Sequence, residues 1–117
     1  MLEPQGKRYL TRDELLRRGL RERDVRVEQW DATVRLRSLT VGAVQRIMQA
    51  DQQGKINRFE LGLMALIESM IEPKLDAGDL PALIEQDADI MAFLSNEALA
   101  LSGMSDRRQA VQAAEGN

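Results

Sequence analysis

Residues 57–71, which read NRFELGLMALIESMI, are the stretch that decides the fold. Their apolar side chains recur at helical spacing and extend around most of the circumference. A helix of this kind is typically packed by neighbours on several sides. Asn57 and Glu60 have the spacing of a capping box, and Pro73 is expected to end the helix. We therefore predict a central helix, with one face formed by Phe59, Leu63, Leu66, Ile67 and Met70.

The composition limits the fold and the chemistry. A chain of 117 residues suits one domain with one core, and with only 3% aromatic residues that core must be aliphatic and methionine-based. The sequence contains no Cys and no His. This excludes disulfides, zinc sites of the usual ligand types and imidazole acid–base catalysis. We therefore expect no catalytic residues, no cofactor and no enzymatic activity.

Charge is unevenly distributed along the chain. Residues 1–40 contain ten Arg/Lys and seven Asp/Glu, whereas residues 41–103 contain four and ten. Such asymmetry could orient an interface or pair two subunits, but it is equally typical of a solvated surface. The pI of about 5.0 argues against nucleic acid as a partner. Neither a secretory signal nor an apolar run of about 18 residues is visible, so no membrane partner is expected.

The first part of the chain predicts a short helix followed by a β-hairpin. Residues 11–14 form a T-x-x-E capping box, which predicts a helix over residues 12–18 with Gly19 as a left-handed stop. Residues 25–30 and 33–37 alternate apolar and polar side chains, which is typical of strands. A two-residue turn at residues 31–32 would place Val27 opposite Leu36 and Glu28 opposite Arg35. Ala32 is poorly suited to the positive φ of such a turn, so a longer or bulged turn remains open.

Three further helices are predicted around the central one. A helix over residues 41–52 is capped by Thr40 and ended by Gly54, a short one over residues 80–86 is capped by Asp79, and a last one over residues 88–102 is capped by Asp87 and closed by Gly103. The expected inner faces are Val44, Ile47 and Met48 in the first of these, and Ile90, Leu94, Ala98 and Leu101 in the last.

The predicted fold class is mainly α with an N-terminal β-hairpin (α+β), a small single-domain helical bundle. The domain should cover residues 11–103, with the hairpin at about residues 25–37. Residues 1–10 are expected to be flexible, and residues 104–117 to form a weakly ordered tail.

Residues 49–60 partly resemble an EF-hand loop, with Gly54 at the turn position and Glu60 at the twelfth position. Asp51 and Glu60 are the only charged candidates for calcium ligands, because Gln49 and Gln53 occupy two of the usual acidic positions. Helix termination and capping explain the same residues, and we favour that interpretation. We likewise interpret a second acidic cluster, Glu85, Asp87 and Asp89, as a helix start.

The candidate partner-binding residues lie near the hairpin and at the start of the tail. Arginine close to the only tryptophan has the composition of a protein-binding hot spot. Trp30 could equally cover the helical core from its edge. The methionines on predicted inner faces are expected to fill the core, which leaves one outside it. The candidates are therefore Arg26, Trp30, Arg35, Arg37 and Met104.

The order of elements resembles the tail assembly chaperones of long-tailed bacteriophages and related prophages. The hairpin ends in VRLRSLT at residues 34–40 and leads into a helix. An aliphatic helix follows, and the closing helix ends in LALSG at residues 99–103, before a polar tail. The chain departs from the family pattern at residues 31–32, where relatives often have a glycine turn, and in the EF-like segment at residues 51–60.

The resemblance implies binding to the tape measure protein, which such chaperones keep soluble while they help to recruit the tail tube protein. It also implies a location in the host bacterial cytoplasm and absence from the mature virion. A frameshifted, C-terminally extended form is made in many relatives. The charge asymmetry suggests a possible homo-oligomer. The alternatives are a degenerate EF-hand-like helical binding module and a small structural virion protein.

Overall fold

The computed structural model describes residues 7–104. It contains α1 (Arg12–Leu16), β1 (Glu22–Val27), β2 (Ala32–Arg37), α2 (Val41–Gln52), α3 (Arg58–Ser69), β3 (Met70–Glu72), α4 (Leu80–Ile84) and α5 (Ala88–Leu101). The three strands form one antiparallel sheet in the order β1-β2-β3. The predicted fold class, mainly helical with an N-terminal hairpin, is confirmed. The expectations for residues 1–6 and 105–117 lie outside the described residues.

The central helix begins as predicted but ends early. The Asn57 side chain accepts a hydrogen bond from the Glu60 backbone at 2.8 Å, and the Glu60 carboxylate accepts one from the Asn57 backbone at 2.9 Å. α3 ends at Ser69 because Met70 adopts an extended backbone, and residues 70–72 pair with β2 as a third strand. The prediction that the helix continues to residue 71 and is stopped by Pro73 was wrong, since strand pairing replaces its last turn.

The hairpin has a longer turn than the two-residue prediction. A 3₁₀ turn at Glu28–Trp30 is followed by Asp31 with φ 48°, so aspartate rather than Ala32 takes the left-handed conformation. Val27 consequently lies opposite Ala32, not Leu36, and Arg35 lies opposite Asp24, not Glu28. The predicted register was wrong, whereas the longer turn left open in the sequence is the one found.

The inner face of the sheet packs on α3 and α5. Five strand side chains are buried, and they form one cluster with the inner faces of the two helices. The cluster comprises Val25, Val27, Val34, Leu36, Leu63, Leu66, Met70, Ile90, Met91, Leu94 and Ala98. Two serines connect hairpin and helices: Ser69 Oγ donates to the Arg37 carbonyl at 2.5 Å, and Ser102 Oγ accepts from the Leu39 backbone at 2.8 Å.

Two apolar residues predicted to face inward do not. Met48 is 49% exposed, because α2 buries Ala43 and Ile47 instead and the next residue of a helix points about 100° away. Phe59 is 78% exposed in the first turn of α3, where the chain has only just left the preceding loop. Both predictions were wrong because the apolar circumference of each helix is wider than the surface its neighbours cover.

The remaining boundaries differ in detail. α1 ends at Leu16 with Arg17 as its C-cap, earlier than the predicted residue 18, and Gly19 does not adopt the left-handed conformation. A 3₁₀ turn at Ala77–Asp79, capped by the Asp76 side chain, precedes α4. Asp79 is the N-cap residue of α4 as predicted, but its carboxylate accepts from the Asp76 backbone and makes no capping hydrogen bond to α4. α5 agrees with the prediction: Asp87 accepts from the Ile90 backbone, and Gly103 has φ 78°.

Candidate functional site

The three candidate arginines share the outer face of the sheet, but two of them are paired within the hairpin. Arg35 contacts Asp24 at 2.9 Å and Glu22 at 3.0 Å, and Arg26 contacts Asp31 and Glu28. The hydrogen bond that Arg35 donates to Glu22, and then the charge of Asp24, raise the pKa of Arg35 above its usual value. Two of the three candidate cations on the outer face are therefore already partnered by neighbouring carboxylates.

The other two candidates lie elsewhere. Trp30 is 45% exposed in the hairpin turn and is not part of the buried core. Met104 follows α5 at the end of the described chain and is half-buried. The structure thus places the three arginines on one face of the sheet, and Trp30 and Met104 in two other segments. Within residues 7–104, these five residues do not line a common cavity.

The EF-like segment is divided between two helices. Asp51 lies in the last turn of α2, and Glu60 lies in the first turn of α3 with one carboxylate oxygen engaged by the Asn57 backbone. Gly54 has φ 71° and follows the end of α2. Within residues 7–104, no group of three or more His, Cys, Asp or Glu side chains is placed to hold a metal ion. These residues are accounted for by helix termination and capping.

A groove with a volume of about 570 Å³ lies on the helical side of the domain. We call it the α3–α5 groove. Its walls are residues 57–63, the end of α4 with Leu83 and Ile84, and one stripe of α5. That stripe recurs at spacings of three and four residues, so it forms a continuous strip along the helix: Ala88, Met91, Ala92, Ser95, Asn96 and Leu99.

The groove is built around a close helix contact. A Cβ atom added to Gly62 would lie 3.2 Å from the Ser95 Cβ, so α3 and α5 pack at short distance where Gly62 is found. Next to this contact the stripe of α5 carries Ala88 and Ala92, which are too small to fill the space beside the helices. The apolar side chains of Phe59 and Ile84, 78% and 48% exposed, are among the lining residues.

Negative charge borders the groove. Arg58 and Glu60 are among its lining residues, and Glu85, Asp87 and Asp89 alternate with or adjoin lining residues between α4 and α5. One cation and four carboxylates give this rim a net charge of −3. The arrangement suits an apolar segment that carries positive charge at its edges.

The groove was not predicted from the sequence, because the central helix was expected to be packed by neighbours on several sides. A signal was present in α5. Besides the predicted inner face, the helix carries a second stripe of small and polar residues at helical spacing, which includes Ala88, Ala92 and Asn96. Such a stripe indicates either solvent exposure or a close approach by another element, and spacing alone does not distinguish the two.

No protein-family model, curated protein or solved structure matches this chain. Among residues 7–104, no helix has both the length and the apolar character needed to cross a bilayer.

Proposed function

We propose that the chain is a tail assembly chaperone of a long-tailed phage or prophage. In this proposal it binds the tape measure protein in the host bacterial cytoplasm, keeps it soluble, helps to recruit the tail tube protein and is not retained in the mature virion. The observation that supports the proposal best is the α3–α5 groove, an open and largely apolar surface.

The dimensions of the groove suit a helix. The stripe from Ala88 to Leu99 extends about 16 Å along α5, which corresponds to roughly three helical turns of a bound partner. Helix-in-groove recognition uses apolar anchors spaced three or four residues apart on the bound segment. A long helical client would offer many such segments, so several copies of a small chaperone could cover it.

Exposed apolar side chains at the rim support the same function. Phe59 and Ile84 would increase the apolar area in contact with a bound helix, and both are largely available to solvent without it. An exposed apolar surface of this kind commonly marks a binding site for protein. The partnered arginines of the sheet offer a more polar surface, so in this proposal the client binds the groove rather than the hairpin.

Co-expression with the protein encoded immediately downstream tests the proposal. The expected result is that a long, otherwise insoluble helical protein becomes soluble and copurifies with this chain. Ala92→Arg places a bulky side chain in the groove and should abolish the rescue. Ala100→Arg, at an exposed position of α5 that does not line the groove, is the matched control and should retain it.

Two results would contradict the proposal. One is a downstream product whose solubility does not depend on this chain. The other is stoichiometric presence of the chain in purified phage particles, which would support the structural virion protein instead.

A further inference from the structure

The segment at residues 7–21, which we call the N-terminal arm, combines positive charge with exposed apolar side chains. It contains six Arg/Lys and two Asp/Glu, a net charge of +4. No residue of α1 is buried by the described part of the chain. The apolar side chains of the arm are all exposed, at 37% to 79%: Tyr9, Leu10, Leu15, Leu16 and Leu20. Five exposed apolar residues on one short segment need a partner surface to be buried.

The α3–α5 groove is complementary to this arm. The groove is mainly apolar, with Leu61, Met91 and Leu99 among its lining residues, and its rim has a net charge of −3, against +4 for the arm. α1 is one and a half turns long, and the groove has room for a helix of about that length and its flanking residues. Apolar fit and opposite charge therefore coincide in the same pair of surfaces.

The arm leaves the domain on the side of α5 that faces away from the groove. Arg23 of β1 contacts Glu97 at 3.0 Å, which fixes the start of β1 beside that residue. Glu97 is two positions from both Ser95 and Leu99, which line the groove, so it points about 200° around the helix from them. An arm that starts from this side begins away from the groove of its own chain, and none of its residues 7–21 is among the residues that line the groove.

We propose that the N-terminal arm of one copy of this chain binds in the α3–α5 groove of a second copy. The leucines of α1 enter the groove, and the arginines that flank them contact Glu85, Asp87 and Asp89 at its rim. Because arm and groove are different surfaces, each copy retains a free arm or a free groove after pairing. Contacts of this heterologous type propagate head to tail, so the expected product is an open chain of copies.

This inference goes beyond the proposed function and does not depend on it, since both binding surfaces belong to the same chain. If the client also binds in the groove, arm and client compete for one site. Self-association would then cover the apolar groove until a client helix displaces the arm. Failure of the arm–groove contact would leave the proposed chaperone activity open, and failure of the chaperone activity would leave the arm–groove contact open.

Sedimentation velocity over a range of protein concentrations tests the proposal on the full chain. The wild-type chain should associate at low salt and dissociate at high salt, because exposed charge pairs are screened. The variant Leu15→Asp/Leu16→Asp, in the arm, and the variant Ala92→Arg, in the groove, should both remain monomeric. Val41→Asp/Met48→Asp, at exposed apolar positions of α2, and Ala100→Arg are the matched controls and should associate like the wild type.

A labelled peptide of residues 7–21 distinguishes the arm–groove contact from other modes of association. Its fluorescence anisotropy should rise on titration with the Leu15→Asp/Leu16→Asp chain, whose groove is intact. Ala92→Arg in that background should weaken peptide binding by about tenfold or more, whereas Ala100→Arg should not.

Three results would overturn the proposal. A wild-type chain that stays monomeric at every concentration would exclude the contact between copies, including the case in which the arm occupies its own groove. Association that persists in both Leu15→Asp/Leu16→Asp and Ala92→Arg would place the contact elsewhere. Peptide binding that is insensitive to Ala92→Arg would exclude the groove.

Discussion

Two helices of this protein begin in the same way and have different surroundings. α1 starts with a capping box formed by Thr11 and Glu14, and α3 starts with a capping box formed by Asn57 and Glu60. Both boxes show reciprocal side-chain and backbone hydrogen bonds of 2.8–3.1 Å. Yet α3 buries five of its residues, and α1 buries none within the described structure.

The comparison separates local from tertiary stabilisation. A capping box satisfies two backbone donors at a helix start, but it says nothing about what the helix packs against. α3 gains most of its stability from contacts with the sheet and α5, as is usual for helices in proteins. α1 has the cap without the packing, which leaves its leucines available to a second molecule.

The largest expected difference is between leucines of the two helices. Leu66→Ala in α3 should lower the free energy of unfolding by about 2–5 kcal/mol, because Leu66 is fully buried. Leu15→Ala in α1 should change it by less than about 0.5 kcal/mol, because Leu15 is 63% exposed. Urea unfolding at high salt and low protein concentration, where self-association is suppressed, measures both. Equal effects would contradict the assignment of α1 as an unpacked helix.

A second difference concerns two glycines. Gly62→Val should destabilise the protein by about 1–3 kcal/mol, because the added Cβ meets Ser95 at the α3–α5 contact. Gly19→Val in the arm has no atom within 4 Å of its added Cβ and should leave the unfolding midpoint nearly unchanged. Thermal unfolding followed by circular dichroism distinguishes them. An unchanged unfolding midpoint for Gly62→Val would mean that α3 and α5 are farther apart than in this structure.

Removal of the capping side chains should have a smaller effect on stability. Asn57→Ala should lower the free energy of unfolding by about 1 kcal/mol, since the cap belongs to a helix that the rest of the domain requires. Thr11→Ala should reduce only the helical circular dichroism signal of α1 and leave the global transition in place. Parallel urea titrations check this pair, and a cost for Thr11→Ala comparable with that for Asn57→Ala would show that α1 is coupled to the core.

The smallest expected effect is a dependence of the stability of α1 on pH. The hydrogen bond that the Thr11 backbone donates to Glu14 is the main cause that lowers the pKa of this carboxyl below its ordinary value of 4.5, and Arg8 contributes. The ionised carboxylate thus supports α1 at and above that ordinary value, and the support is lost as pH falls through the lowered pKa. Amide chemical shifts of α1 should follow this titration, and Glu14→Gln should abolish it. Shifts that titrate equally in Glu14→Gln would assign the effect to another group.

Local sequence signals were sufficient to predict several elements. The boundaries of α5 followed from Asp87 and Gly103, because capping and the left-handed stop depend only on neighbouring residues. The start of α3 followed from Asn57 and Glu60 for the same reason. The alternation in residues 25–37 predicted a hairpin, and the buried side chains of its strands confirm that pattern.

Features that depend on tertiary contacts could not be predicted from local sequence signals. The third strand arises because residues 70–72 pair with β2, which is distant in sequence. The hairpin register was wrong because it depended on the position of one positive φ, at Asp31. Phe59 has the spacing of a core residue, and only the arrangement of α3, α4 and α5 leaves it beside an open groove. The candidate site was therefore sought in the hairpin rather than between the helices.

The most direct test of whether recognition occurs between the helices or on the sheet is a nuclear magnetic resonance titration. The ¹⁵N-labelled Leu15→Asp/Leu16→Asp chain would be titrated with the peptide of residues 7–21. The account predicts that amide shifts concentrate at Phe59, Ala92 and Asn96, which line the α3–α5 groove. Shifts confined to Arg26, Arg35 and their strands, or the absence of any shift, would contradict it.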